Sequence, residues 1–203
     1  MVDDGSKDGT LEISENLRNK ISRLRVLSNG KNRGKGYKVK KGILSGSGDS
    51  LLFLDADLST PIEETDGFLK ELGRYDVLLG SRKVKGANVV IKQPWHRIFL
   101  GNCFSLLIRS LFDIGKIDDT QCGFKMFTKE AAQKIFSNLT IERFSFDVEV
   151  LYLAYRFNLR VKQLPVTWYN NSKSSVKPLR DGLRMIIDAA RIKFKHSTNA
   201  LRK

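Results

Sequence analysis

The sequence predicts an α/β fold, a mostly parallel sheet with helices on both faces, and three observations carry that expectation. Segments of helical period and short apolar segments alternate along most of its 203 residues. Ser50–Leu54 (Ser-Leu-Leu-Phe-Leu) is a continuous apolar run that ends abruptly at Asp55, as expected of a strand buried on both faces of a parallel sheet. A content of 41% hydrophobic residues, with 12 Phe, 5 Tyr and 2 Trp, supplies a substantial core and excludes a disordered basic chain.

The elements follow from period and punctuation. Gly9–Lys20 reads as a helix with Leu11, Ile13 and Leu17 set among charges, and Arg23–Leu27 as a short strand. Lys38–Leu44 resumes the helical period, and Ser50–Leu54 is the buried strand. Pro61 suits the first turn of a helix running to about Leu72. Tyr75–Gly80 gives a second buried strand, before Ser81 and Arg82. Trp95–Phe112 is a long apolar helix; after the loop Asp118–Gly123 come a strand to Phe127 and a helix from Lys129. Phe146–Phe157 is helical, Arg160–Val166 is a strand stopped by Pro165, and Leu179–Lys195 is a last helix with Leu183, Ile186, Ile187, Ala190 and Phe194 on one side.

Charge bounds the partners. The net charge is +14, which suggests an anionic ligand or surface. From Lys177 onward there are eight Lys or Arg and two Asp, so residues 177–203 form a basic amphipathic helix and tail of the kind that rests on anionic membranes, behind a domain at 1–176. The other reading of that helix is a solvated surface element closing the domain. Only Cys103 and Cys122 are present, too few for a disulfide scaffold, so a reducing setting fits. No apolar run is long enough to span a bilayer and no secretory signal is visible, so the expected location is peripheral, on the cytoplasmic side of a membrane.

The chemistry-bearing groups sit at the carboxyl ends of the expected strands, where open parallel sheets bind ligands. One is Asp3-Asp4-Gly5-Ser6; another is Asp55-Ala56-Asp57. Two carboxylates one residue apart can share a hard divalent cation, Mg²⁺ or Mn²⁺, that keeps positions open for phosphates. Asp4–Glu15 imitates a calcium loop in spacing, but no helix of adequate length enters it. Gly30–Gly36 is a basic glycine-rich turn, and Lys31–Lys41 holds six cations and no acid. That turn could cradle phosphates, yet Gly36 follows Lys35 where a Walker loop requires Ser or Thr. Neither zinc-finger spacing nor an RNP-like aromatic motif accompanies the basic run, so nucleic acid is not the expected partner.

Taken in order, Val2-Asp3-Asp4-Gly5-Ser6, Gly34-Lys35-Gly36, Asp55-Ala56-Asp57, Gly80-Ser81-Arg82 and Asp119-Thr120-Gln121-Cys122-Gly123-Phe124-Lys125 resemble the family 2 glycosyltransferases of GT-A fold. Within these the sequence is most similar to the polyprenyl-phosphate sugar transferases. The motifs at Thr120–Lys125, Arg143–Glu149 and Pro165–Trp168 favour the dolichyl-phosphate β-glucosyltransferase branch over the mannosyl branch. The resemblance implies that Asp3, Asp4 and Ser6 belong to the nucleotide-sugar pocket, with Lys35 and Gly36 beside it. It implies that Asp55 and Asp57 hold the metal and diphosphate, and that Arg82 and Arg97 hold the lipid phosphate. Gln121 and Lys125 would lie in the acceptor-side loop, and Lys173 in a second loop near the lipid phosphate. Asp147 reads equally as a structural carboxylate or an active-site one.

The activity so implied is inverting transfer of a hexose, glucose from UDP-glucose in first place, to a polyprenyl (dolichyl or undecaprenyl) phosphate. The alternatives are a GDP-mannose-dependent enzyme and an inactive fragment binding nucleotide sugar or anionic lipid. Catalysis would rest on Asp57, Arg82, Arg97 and Gln121. One departure stands out: family members carry a strand and helix ahead of Val-Asp-Asp-Gly-Ser, whereas here Met1 abuts that motif. A sheet lacking that central strand is expected to leave unpaired backbone edges on both neighbours and a gap in the core.

Overall fold

The computed structural model describes residues 1–91, 94–170 and 178–198. The first strand, β1 (Val2–Asp3), leads to α1 (Thr10–Arg18); β2 (Leu27–Ser28) lies parallel to β1 and precedes α2 (Lys35–Leu44). Next come β3 (Ser50–Leu54), a 3₁₀ turn at Ile62–Glu64 running into α3 (Thr65–Glu71), and β4 (Val77–Ser81). The chain continues through β5 (Asn88–Ile91), α4 (Trp95–Leu111), β6 (Phe124–Thr128), α5 (Lys129–Asn138), α6 (Phe146–Arg156), β7 (Val161–Pro165), β8 (Thr167–Tyr169) and α7 (Pro178–Thr198).

The main sheet has the order β3-β6-β4-β7. Three of the five ladders in the described residues are parallel; the two antiparallel ones place β6 between β3 and β4, with Leu52 opposite Met126 and Leu78 opposite the same residue from the other side. Because side chains alternate across a strand, each strand feeds two cores. Leu51, Phe53, Val77, Leu79 and Phe127 join the larger one with α5, α6 and Ile192 of α7. Leu52, Leu54, Leu78, Phe124 and Met126 join a smaller one closed by Phe68 of α3. In the larger core Phe127 and Phe136 meet edge to face at 5.2 Å between centroids, an arrangement that aromatic quadrupoles favour.

Two differences from the sequence reading have physical causes. The run Ser50–Leu54 is half-buried throughout, because β3 is a sheet edge rather than an interior strand. The short pair β5 and β8, parallel to each other, had no element assigned to it; segments of three and four residues are too short for a period to register. The packed face of α7 is Met185, Ala189, Ile192 and His196, spaced one helical turn apart, which leaves Ile186, Ile187 and Phe194 exposed.

The outer edge of β1 and the outer edge of β3 pair with no strand among the described residues, and both border one cavity walled by Val2, Val39, Ile43, Leu51 and Phe53. Packing of α2 on α5, rather than a hydrogen-bonded ladder, joins the β1–β2 unit to the rest.

α7 is fastened by a buried polar cluster. Glu149 on α6 accepts hydrogen bonds from Thr140 N (2.9 Å), Thr140 Oγ1 (2.7 Å) and Ile141 N (2.7 Å) and meets His196 Nε2 at 2.7 Å. Burial works against the Glu149 charge, but His196 and these donors outweigh it and hold the carboxyl below its ordinary value of 4.5. A folded-state pKa below the unfolded one gives stability that is present above pH 4.5 and is lost as the pH falls through the folded value. We therefore expect Glu149→Gln to lose about 3 kcal/mol at neutral pH and to flatten the acid limb of a stability-versus-pH curve measured by urea unfolding. An acid limb as steep as that of the parent chain would contradict this role.

Candidate functional site

The cavity between β1 and β3, about 1150 Å³ in all, opens as a cleft at the carboxyl ends of β1, β3 and β4. Because β6 runs antiparallel, its beginning, after Gly123, reaches the same end. The carboxyl-end placement brings Asp3, Asp4, Ser6, Lys35, Asp55, Asp57 and Arg82 into one wall, with Arg143, Trp168 and Asn170.

The first acidic pair shapes the loops around it. Asp3 accepts from Gly5 N at 2.9 Å, Ser6 N at 3.2 Å and Ser28 Oγ at 3.1 Å; hydrogen bonds led by Ser6 hold its carboxyl below the ordinary range despite burial. Asp4 accepts from Arg33 N at 2.9 Å and Gly34 N at 2.8 Å, which ties the glycine-rich turn to the end of β1. Gly36, at the start of α2, lets that turn seat against the 141–146 segment: a Cβ there would come within 2.7 Å of Phe146 Cβ and 3.0 Å of Arg143 O.

The second acidic pair faces the cleft. Asp55 meets Lys35 Nζ at 2.8 Å, and Asp57 accepts from Ser59 N at 3.0 Å. Burial disfavours the Lys35 ammonium, but Asp147, Asp55 and Asp57 more than offset it and raise its pKa. Beneath this pair lies a buried one: Lys125 Nζ bonds Asp147 Oδ1 at 2.6 Å and Cys122 O at 2.6 Å. Burial pushes the Asp147 carboxyl up, against the opposing pull of Lys125 and Lys35.

Arg82 is clamped. Its Nε and Nη2 bond Asp119 at 2.6 and 2.8 Å, its backbone N adds a third bond at 3.1 Å, and its guanidinium lies 5.1 Å from the Trp168 ring centroid. Burial opposes both charges, yet each partner favours the other, so Arg82 is raised and Asp119 lowered. Asp119 is itself placed by Gln163 on β7, whose Oε1 accepts from Asp118 N at 2.9 Å and Asp119 N at 3.2 Å. Arg82 and Trp168 also wall a second pocket of about 180 Å³, with Lys83, Ile98, Asn102, Ser105, Thr120 and Gln121. The Thr120 Oγ1 there is buried without a hydrogen-bond partner among the described residues.

Several expectations change. Lys125 is 1% exposed and committed to Asp147, so it supports the Asp55 region from below instead of reaching an acceptor phosphate. Arg82 does reach the cleft, but with two guanidinium nitrogens engaged it offers Nη1 rather than a free fork. Arg97 belongs to α4, but its side chain, like the whole of Lys173, lies outside the described residues. The sequence reading did not single out Gln163, Lys83 or the role of Asp119 as the Arg82 partner; the only sequence signal for the last was an acid preceding Thr120 in a motif.

A divalent cation fits the chemistry of the second acidic pair, two hard oxygen donors open to a cleft. Among the described residues no group of three or more His, Cys, Asp or Glu is placed to hold a metal, so such an ion would need oxygens from its ligand as well.

Two acidic pairs, a glycine-rich turn and a clamped arginine thus meet at the carboxyl ends of strands from two sheets, where α/β folds bind ligands. Residues 1–136 match the model of glycosyl transferase family 2, and the chain belongs to that family. It is 36% identical over 204 residues to the dolichyl-phosphate beta-glucosyltransferase of Dictyostelium discoideum, covering 97% of this chain and 62% of that protein. With the Homo sapiens protein of the same name the identity is 35% over 211 residues, covering 100% and 65%. The chain thus spans less than two thirds of the length of these relatives. Among solved structures, glucosyl-3-phosphoglycerate synthase from Mycobacterium tuberculosis in complex with Mn²⁺ and uridine-diphosphate-glucose superposes with a TM-score of 0.63 at 18% identity, over 93% of this chain and 65% of that one. The same synthase with Mn²⁺, uridine-diphosphate and glucosyl-3-phosphoglycerate gives 0.64 at 16%, over 93% and 66%. The fold is GT-A.

Gly123 offers a direct test of the Asp55 geometry. Asp55 N bonds Gly123 O at 3.0 Å, and a Cβ on Gly123 would overlap the Asp55 carboxylate. Gly123→Ala is expected to lose about 1–3 kcal/mol of stability in chemical denaturation. An unchanged midpoint would mean that the 119–123 loop yields freely.

Proposed function

We propose that this domain transfers glucose from UDP-glucose to a polyprenyl phosphate, with inversion at the anomeric carbon. The observation that carries this reading is a pair of pockets with Arg82 and Trp168 in common: a cleft at the strand ends lined by both acidic pairs, and a smaller pocket lined also by Lys83 and Gln121. The names of the relatives supply the acceptor class, and the uridine-diphosphate-glucose complex of a protein of the same fold suits the donor.

In this reading an oxygen of the acceptor phosphate attacks the anomeric carbon as the bond to the nucleoside diphosphate breaks, the electron pair leaving on the diphosphate oxygen. A phosphate monoester has a second pKa near 6, so it arrives largely dianionic and needs no strong general base. Asp55 and Asp57 would hold Mg²⁺ or Mn²⁺, which supplies charge neutralisation to the departing diphosphate. Arg82, fixed by Asp119, orients the attacking phosphate from the shared wall; Lys83 and Gln121 line the pocket from which it comes.

A lipid acceptor requires a membrane-facing surface. No described helix is long and apolar enough to cross a membrane. α4 instead exposes Trp95 (79%), Phe99 (61%) and Leu106 (70%) at helical spacing, while its Ile98 and Asn102 line the second pocket. α7, packed against α4, exposes Ile187 and Phe194 among Arg184, Arg191, Lys193 and Lys195. Apolar side chains flanked by cations suit peripheral contact with an anionic leaflet, and the cytoplasmic face is the one that would supply it.

Two measurements test this function. UDP with Mn²⁺ should raise the melting temperature, and the shift should require the ion; a larger shift with GDP would move the assignment to mannose transfer, and no shift with either would leave a chain that does not bind nucleotide. Asp57→Ala should lower glucose transfer by about 100-fold or more with the melting temperature unchanged, and near-normal transfer would remove the metal assignment. For the membrane contact, Phe99→Ser with Leu106→Ser should weaken cosedimentation with phosphatidylserine vesicles by about 10-fold, and unchanged binding would exclude α4.

A further inference from the structure

We infer that Arg143 is the cation that binds the diphosphate of the donor, an inference that rests on the UDP-sugar reading above. Accounting for the cleft cations leads to it. Lys35 is paired with Asp55, and Arg82 has two nitrogens on Asp119. Asp55 and Asp57 face the cleft while Asp3 and Asp4 are turned to their own loops, so a nucleoside diphosphate entering it calls for a cation that is not already committed. Arg143 lines the cleft, is exposed, and makes no ion pair or side-chain hydrogen bond among the described residues.

Its backbone is held far more firmly than a loop of solvated arginines needs. Glu149 fixes Thr140 and Ile141 from one side, and Ser145 Oγ donates to Asp188 at 2.9 Å. From the other side Tyr37 N donates to Glu142 O at 3.0 Å, and Arg33 pairs with Glu142. A Cβ on Gly34 would stand 3.1 Å from Arg143 Cγ and 2.6 Å from Glu142 O, so the absence of a side chain at Gly34 lets Arg143 lie against the turn whose N–H groups Asp4 has already ordered. The arrangement presents a planar, permanently charged fork from a rigid support at the edge of the cleft that also holds Asp55 and Asp57. Such a fork matches paired phosphate oxygens. Lys38, also in the cleft wall and without a described partner, is the competing candidate.

The test compares UDP with uridine, which lacks the diphosphate, in the presence of Mn²⁺, using calorimetry for UDP and ligand-observed NMR for uridine. Arg143→Ala is expected to weaken UDP by about 10- to 100-fold while uridine affinity and melting temperature stay unchanged, and Arg143→Lys should fall between. Lys38→Ala should have a smaller effect on UDP. Equal losses on both ligands would make Arg143 a support of the loop and overturn the inference, as would an unaltered UDP affinity or a selective loss in Lys38→Ala alone. If the parent chain binds no UDP, the UDP-sugar reading fails and Arg143 loses its role with it; if it binds UDP and only the variant comparison is flat, the reading survives and the inference does not.

Discussion

An alternation of buried charge runs through the centre of this domain, Lys125 to Asp147 and, nearer the surface, Lys35 to Asp55. The four residues come from β6, α6, α2 and the end of β3. The Lys125–Asp147 pair is buried, so removing either partner would leave an uncompensated charge at a penalty of about 3–5 kcal/mol. The alternation therefore fixes four elements relative to one another where the apolar core thins out, and it sets the field in which the open carboxylates of the cleft work.

The same logic of pairing extends sideways. Arg82 is oriented because Asp119 holds it, and Asp119 is where it is because Gln163 holds the backbone of its loop. Cys122, in that loop, is buried and its thiol is pushed up to about 11, so it is an inert filler beside Phe124 rather than a nucleophile. Cations that looked alike in a chain of net charge +14 separate into those that brace the structure and those left facing the cleft.

What could be read from the sequence was local. Apolar runs closed by an acid or by Ser-Arg marked the strand ends, and strand ends are where the cleft lies, so Asp3, Asp4, Asp55, Asp57 and Arg82 were found together. Partnership at a distance was not readable: Arg82 and Asp119 stand 37 positions apart, and nothing in either neighbourhood announces the other. Lys125 was misplaced for the same reason, because a lysine in a loop-side motif looks like a ligand until the carboxylate beneath it is seen. Which face of α7 meets the core was not readable either: Glu149 captures His196 and turns the Met185–Ala189–Ile192 face inward.

The seating of the 34–37 turn bears on which substitutions the site tolerates. Tyr37 N reaches Glu142 O, and a Cβ on Gly34 or Gly36 would overlap backbone oxygens of the 141–143 segment, so that turn and segment are kept in register by the absence of two side chains. A side chain at either glycine would act on the site from outside it, by pushing the turn that Asp4 binds away from the segment that carries Arg143.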